Sequence, residues 1–126
     1  VREWLHAEDH CAGIELVLHE GAPGEIYNVG GEDHESIEVT HRILELTGAG
    51  PALIRHVEDR AGHDRRYAVD DTKLRSLGWR PQHSFGEEGL PATVDWYRGK
   101  RDRWELIKSR AYRSYYDEQY ANRLKA

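Results

Sequence analysis

Methionine is absent from this chain of 126 residues, and cysteine occurs once, at Cys11. A single cysteine excludes an intrachain disulfide and fits a reducing cytoplasm, the compartment we expect. No apolar run is long enough to cross a bilayer. The opening Val1-Arg2-Glu3-Trp4 is too charged for a secretory signal. Neither a membrane nor export is therefore expected, and with no initiator methionine the start is expected to have been lost by processing, design or cleavage. There is also no internal repeat, low-complexity stretch or flexible linker. One domain is expected, long enough to bury a core without staples. Dinucleotide-loop spacing is missing too: Gly30 and Gly31 are adjacent and no third glycine follows in register, so they read as a turn.

What is present is charge, unevenly spread. Residues 98–126 hold nine Lys/Arg against four carboxylates, near +5, which leaves the remainder near −10 of a total of −5. A basic tail can bind nucleic acid, but the acidic total argues against it, because phosphate contacts dominate that affinity. No nucleic-acid partner is expected.

The order of elements reads as mixed α/β. Glu8-Asp9 offers an N-cap for a helix with Cys11, Ile14, Val17 and Leu18 on its apolar face and Gly21 as its stop. Cys11 on that face reads as buried filler. Glu25 to Val29 is rich in β-formers and reads as a strand. Ser36 caps a second helix bearing Val39, Ile43 and Leu46 and ending at Gly48. Leu53 to Val57 reads as another strand. Asp70 or Asp71 caps a short helix with Leu74 and Leu77, which Gly78 stops and Trp79 folds back over. Ser84 with Glu87 resembles a capping box, and Pro91 is tolerable only in the first turn of the helix it enters. The pattern predicts two or three small strands and four or five helices, too few for a doubly wound sheet. The chain reads as the smaller lobe of something larger. His6 and His10 straddle a helix start, so no metal site is expected from them. The four tryptophans read as core or lobe-interface anchors.

The segment Glu58 to Tyr67 (EDRAGHDRRY) is the most informative. It places Arg60, Arg65, Arg66, His63 and three carboxylates around Gly62. Each arginine fork fits a phosphate or carboxylate bidentately, and Gly62 allows close approach or a positive φ. Charge alone leaves two readings open: a solvated, salt-bridged loop, or an anion site.

VREWLHAEDH, GEIYNVGG, EDRAGHDRRYAVDDTKL, LGWRP, TVDWY and the tail WELIKSRAYRSYYDEQY, in that order, resemble the C-terminal portion of the dTDP-glucose 4,6-dehydratase family, within the extended short-chain dehydrogenase/reductase superfamily. The resemblance covers essentially the whole chain. It implies an α/β fold: a small mixed α/β substrate-binding lobe over 1–126 with a basic aromatic tail at 98–126, the Rossmann lobe absent. In that family the Rossmann lobe carries GxxGxxG, a Tyr-x-x-x-Lys pair and an acidic pair, binds NAD and does the chemistry. No tyrosine here is followed four residues on by lysine. The family's enzymes convert dTDP-glucose to dTDP-4-keto-6-deoxyglucose: hydride moves from C4 to NAD, water leaves across C5 and C6, and the hydride returns to C6. The expectation is a dTDP-sugar-binding portion of such a lyase, inactive alone, holding no NAD itself. The partners implied are the dTDP-sugar and the missing lobe, which also forms most of the family's homodimer interface. Another nucleotide-sugar epimerase, dehydratase or decarboxylase, or a stand-alone binding or interaction module, stays open.

Site residues carried by the resemblance are Arg2 and Arg60 on the diphosphate, Asp59, Ala61, Gly62 and His63 in the family's D-R-P-G-H loop, Ser36 before the second helix, and Tyr120 closing the nucleotide site. Ala61 stands where the family has proline, and Ser36 where it has asparagine. Gly86 looks like an insertion. Arg65 and Arg66 are expected to brace the loop against Glu58, Asp59, Asp64, Asp70 or Asp71. His63 is expected to orient it.

Overall fold

The computed structural model describes residues 1–108. Among them, two short strands, β1 (Arg2–Trp4) and β2 (Glu32–His34), pair antiparallel, with Arg2 opposite His34 and Trp4 opposite Glu32. Five α-helices follow the chain: α1 (Ala7–Glu20), α2 (Ser36–Thr47), α3 (Thr72–Ser76), α4 (Leu90–Gly99) and α5 (Arg101–Ile107). A 3₁₀ turn spans Pro51–Leu53 and a π-turn Phe85–Gly89. This agrees with the small mixed α/β lobe expected.

The core is Val39 from α2, Leu74 from α3, Trp79, and Leu90 and Val94 from α4. Burying a side chain such as Leu74 contributes about 2 kcal/mol. Gly78, at φ 99, stops α3 as predicted and turns the chain so that Trp79 is buried. The space beside it is left by Gly13, whose Cβ would stand 3.2 Å from the Trp79 indole nitrogen and 3.4 Å from Leu74.

Helix α1 departs from its sequence reading in two ways. Its N-cap is His6, whose Nδ1 accepts from the Glu8 N–H at 3.4 Å, rather than Glu8 or Asp9. Its buried residues are Asp9 and Gly13, whereas Cys11, Ile14 and Leu18 are exposed. The apolar stripe is real, but no described residue covers it; Cys11 is not filler.

Asp9 instead fastens α1 to the chain after Trp79. Its carboxylate accepts from the Gln82 N–H at 2.9 Å, the His83 N–H at 3.1 Å and His83 Nδ1 at 3.1 Å, and its carbonyl accepts from Trp79 Nε1 at 3.1 Å. Burial pushes the Asp9 carboxyl pKa up. The bonds from Gln82 and His83 outweigh that and hold it below the ordinary value.

Neither predicted strand at Glu25–Val29 nor Leu53–Val57 forms. β-formers favour a pleated surface with a neighbour to pair with, and none of the described residues supplies one. Residues 25–29 are tethered by side chains: Lys73 to Glu25, and Asn28 to the Asp70 carbonyl at 3.0 Å. Ile26 is left 81% exposed. The true strand lies just beyond, where Gly31 sits so close that a Cβ would meet the Trp4 carbonyl oxygen at 2.3 Å.

Two caps also shift. Ser36 is the first residue of α2; Glu35 is the N-cap and forms a reciprocal capping box with Glu38. Gly48 ends the helix at φ 70, as expected. Ahead of α4, it is Glu88 rather than Glu87 that accepts from the Ser84 N–H, at 3.3 Å. The Ser84 carbonyl accepts from Gly89 at 2.8 Å, closing a turn five residues long. A π-turn holds one residue more than an α-turn, and Gly86 lies within it. Pro91 falls at the start of α4, where a missing N–H is tolerated.

Candidate functional site

The charged segment 58–67 forms an irregular loop against β1. Its one tight turn is Arg60–His63, closed by His63 N–H donating to the Arg60 carbonyl at 3.3 Å. Gly62 is at φ 70, so the positive φ anticipated for it is present. The loop is tied to the first residues of the chain: the Val1 amino group donates to the Arg65 carbonyl at 2.8 Å, and Tyr67 N–H to the Val1 carbonyl at 3.2 Å.

Arg2 sits at the centre of this junction. One terminal nitrogen donates to the Val1 carbonyl at 2.7 Å; the other reaches His63 Nε2 at 2.8 Å and the Asp64 carbonyl at 2.9 Å. Its guanidinium lies 4.4 Å from the centroid of the Tyr67 ring. It pairs with neither Glu3 nor Glu8. Of its five N–H donors, three are used and two are uncommitted.

His63 relays this arrangement, with Nδ1 at 2.6 Å from Asp59 Oδ1, which also accepts from the Arg60 N–H at 2.9 Å. Because Arg2 can only donate, Nε2 must accept, and the proton must sit on Nδ1 and point at Asp59. The His63 bond holds the Asp59 carboxyl below its ordinary pKa; loss of solvent contact opposes it, and the Arg60 N–H bond adds to the lowering. His63 therefore orients the loop, as expected, with Arg2 and Asp59 as its two anchors.

A cavity of about 470 Å³ opens beside this relay, lined by Val1, Arg2, Glu35, Ser36, Ile37, Asp59, His63, Asp64 and Arg65. The fold thus brings together Arg2, Ser36, Asp59 and His63 from the predicted set. Arg60, Ala61 and Gly62 are exposed on the adjoining turn and do not line it. Tyr120 lies outside the described residues.

Arg65 and Arg66 part company. Arg66 braces the loop, but against Asp33 of β2 rather than any predicted partner. Arg65 lines the cavity, and among the described residues its guanidinium makes no hydrogen bond or ion pair, so it is not a brace. Sequence spacing could not separate these neighbours, because strand register decides which one meets Asp33.

Three carboxylates also line the cavity, yet each is engaged. Asp59 is held by His63 and Arg60, Asp64 accepts from the Tyr67 hydroxyl, and Glu35 belongs to the capping box of α2. The Asp64 bond raises the Tyr67 hydroxyl pKa. The uncommitted donors belong to Arg2 and Arg65, with Arg60 alongside. Such an arrangement can receive an anion with two or more acidic oxygens.

The family model for GDP-mannose 4,6 dehydratase matches residues 1–90, and the chain belongs to that family. Within it, the chain is similar to dTDP-glucose 4,6-dehydratases. It is 48% identical over 110 residues to the enzyme of Streptomyces niveus, covering 86% of this chain and 32% of that one. It is 53% identical over 100 residues to the low-salt glycan biosynthesis protein Agl12 of Haloferax volcanii, covering 79% and 32%. Its fold matches the crystal structure of DesIV, a dTDP-glucose 4,6-dehydratase from Streptomyces venezuelae with NAD and TYD bound. The TM-score is 0.78 at 49% identity, over 84% of this chain and 33% of that one. The chain spans about a third of the length of the relatives it matches. NAD is also bound in the dTDP-glucose 4,6-dehydratase of Bacillus anthracis, matched at a TM-score of 0.76. No helix among the described residues is long and apolar enough to cross a membrane.

Proposed function

We propose that these residues form the sugar-nucleotide-binding portion of a dTDP-glucose 4,6-dehydratase, a lyase of the cytoplasm. The hydride chemistry on NAD belongs to a Rossmann lobe outside the 126 residues. The single observation that carries this is the convergence of Arg2 and the 59–65 loop, from distant segments, on one cavity whose acids are engaged while Arg65 and two N–H donors of Arg2 are uncommitted. A nucleoside diphosphate carries about two negative charges, and charge-assisted bonds from two segments would both hold and orient it. Arg2 and Arg65 would meet it from the cavity wall and Arg60 from the turn. Ser36 and His63 line the rim; Asp59, Ala61 and Gly62 shape the loop. Tyr120 is proposed to close the nucleotide side.

The exposed stripe of Cys11, Ile14 and Leu18 on α1, with the exposed Ile26 in the segment 25–29, supports the lobe reading. An apolar surface of this kind is where a second lobe would dock. Without that lobe the chain would bind ligand but not turn it over. A homodimer is proposed for the whole enzyme only, with its interface on the other lobe.

Thermal-shift titration with dTDP, UDP and GDP tests the reading. The melting temperature should rise with dTDP at lower concentration than with the other two. A larger effect of GDP or UDP would move the assignment to another nucleotide sugar. No shift with any of them at millimolar concentration would remove the preformed site.

A further inference from the structure

Outside the anion cavity, one set of side chains has no part in the reading above. His6, Glu8 and His83 offer ligand atoms that all lie within 4.8 Å of one another. The pairing is not the His6–His10 spacing visible in the sequence: His6 meets His83, their ring centroids 4.2 Å apart, and His83 Nε2 lies 3.8 Å from Glu8 Oε2. We propose that these three residues bind one divalent transition-metal ion of the zinc class, joining the start of α1 to the chain entering the π-turn.

Three features of the set carry this. The donors are two imidazoles and a carboxylate, the ligand chemistry suited to zinc. His83 is already oriented: Nδ1 contacts the buried Asp9 carboxylate at 3.1 Å, which leaves Nε2 facing His6 and Glu8. A carboxylate behind a histidine in this way fixes the tautomer and raises the basicity of the metal-facing nitrogen. Asp9 is itself held by two backbone N–H groups, so the orientation is built into the fold.

Closing the set needs only local movement. Zinc holds nitrogen and oxygen ligands at about 2.0–2.2 Å, so the donors must draw together, and Glu8 is exposed and can swing inward. His6 must give up its cap bond, since ligation through Nδ1 uses the lone pair that now accepts from Glu8 and ligation through Nε2 puts the ring proton on Nδ1; at 3.4 Å that bond is long. Three protein ligands leave a fourth position for water, as in open rather than closed zinc sites.

The test is calorimetric titration of the 126-residue chain with zinc chloride, paralleled by cobalt(II) titration followed in its visible d–d bands. One equivalent should bind. His83→Ala and Glu8→Gln should each weaken binding by about ten- to a hundred-fold, whereas Cys11→Ser and His41→Ala should leave it within about two-fold. His6→Asn keeps a good N-cap while removing the ligand, so it reports on the site without unfolding α1; it should lose affinity like His83→Ala. Absence of a saturable site in the folded chain, or a site unmoved by His6→Asn, would overturn the proposal.

Discussion

Replacing Asp9 with asparagine should cost this fold heavily, although it exchanges a single heavy atom. Both carboxylate oxygens accept a backbone N–H, from Gln82 and His83, and the His83 ring is a third donor. Asparagine keeps one acceptor oxygen and turns an NH₂ toward a group that can only donate. One buried donor left unpaired costs about 1–3 kcal/mol, and the bonds that remain lose the strength an ionised acceptor gives them. Together about 3 kcal/mol is expected. At roughly 4–8 °C per kcal/mol for a domain near this size, the melting temperature should fall by more than about 10 °C. The sign with pH follows from the lowered Asp9 pKa. Its contribution is fully present above the ordinary aspartate value near 3.9 and is lost as the pH falls through the lower folded value. The gap between wild type and Asp9→Asn, read by urea denaturation at several pH values, should therefore narrow on acidification. A loss under about 1 kcal/mol at neutral pH, or a gap that widens in acid, would refute the argument that Asp9 is the fastening between α1 and residues 79–83.

Other outcomes follow from backbone geometry. Gly31→Ala would press a Cβ to 2.3 Å from the Trp4 carbonyl oxygen, so it should cost about 2–3 kcal/mol or prevent folding. Gly50→Ala meets nothing within 4 Å and sits at φ −85, so chemical denaturation should show it neutral or stabilising by up to about 1 kcal/mol. The Arg60–His63 turn has its positive φ at the third residue, the kind that takes proline at the second. Ala61→Pro should therefore stiffen the loop and tighten dTDP about two- to five-fold, measured by calorimetry.

Stops were more legible in the sequence than strands. Gly21, Gly48 and Gly78 end their helices because each does so locally. Glu25 to Val29 failed because β-propensity presumes a neighbour to pair with, and no described strand lies beside it. At Cys11, Ile14 and Leu18, periodicity reports an apolar face, not what covers it, so the burial expected of Cys11 does not follow. At the site, residue types marked the loop and the resemblance singled out Arg2. The His63 relay, the release of Arg65 and the meeting of His6 with His83 depend on contacts between distant segments that no local pattern encodes.

Calorimetric titration of the chain with dTDP, beside Arg60→Ala and Arg2→Ala, tests the account at its centre. Charge-assisted contacts to a diphosphate predict that each substitution weakens binding by about 1.5–3 kcal/mol, roughly ten- to a hundred-fold in Kd. Equal affinity in all three proteins, or no binding by a chain shown to be folded, would return the Glu58–Tyr67 segment to a solvated, salt-bridged loop.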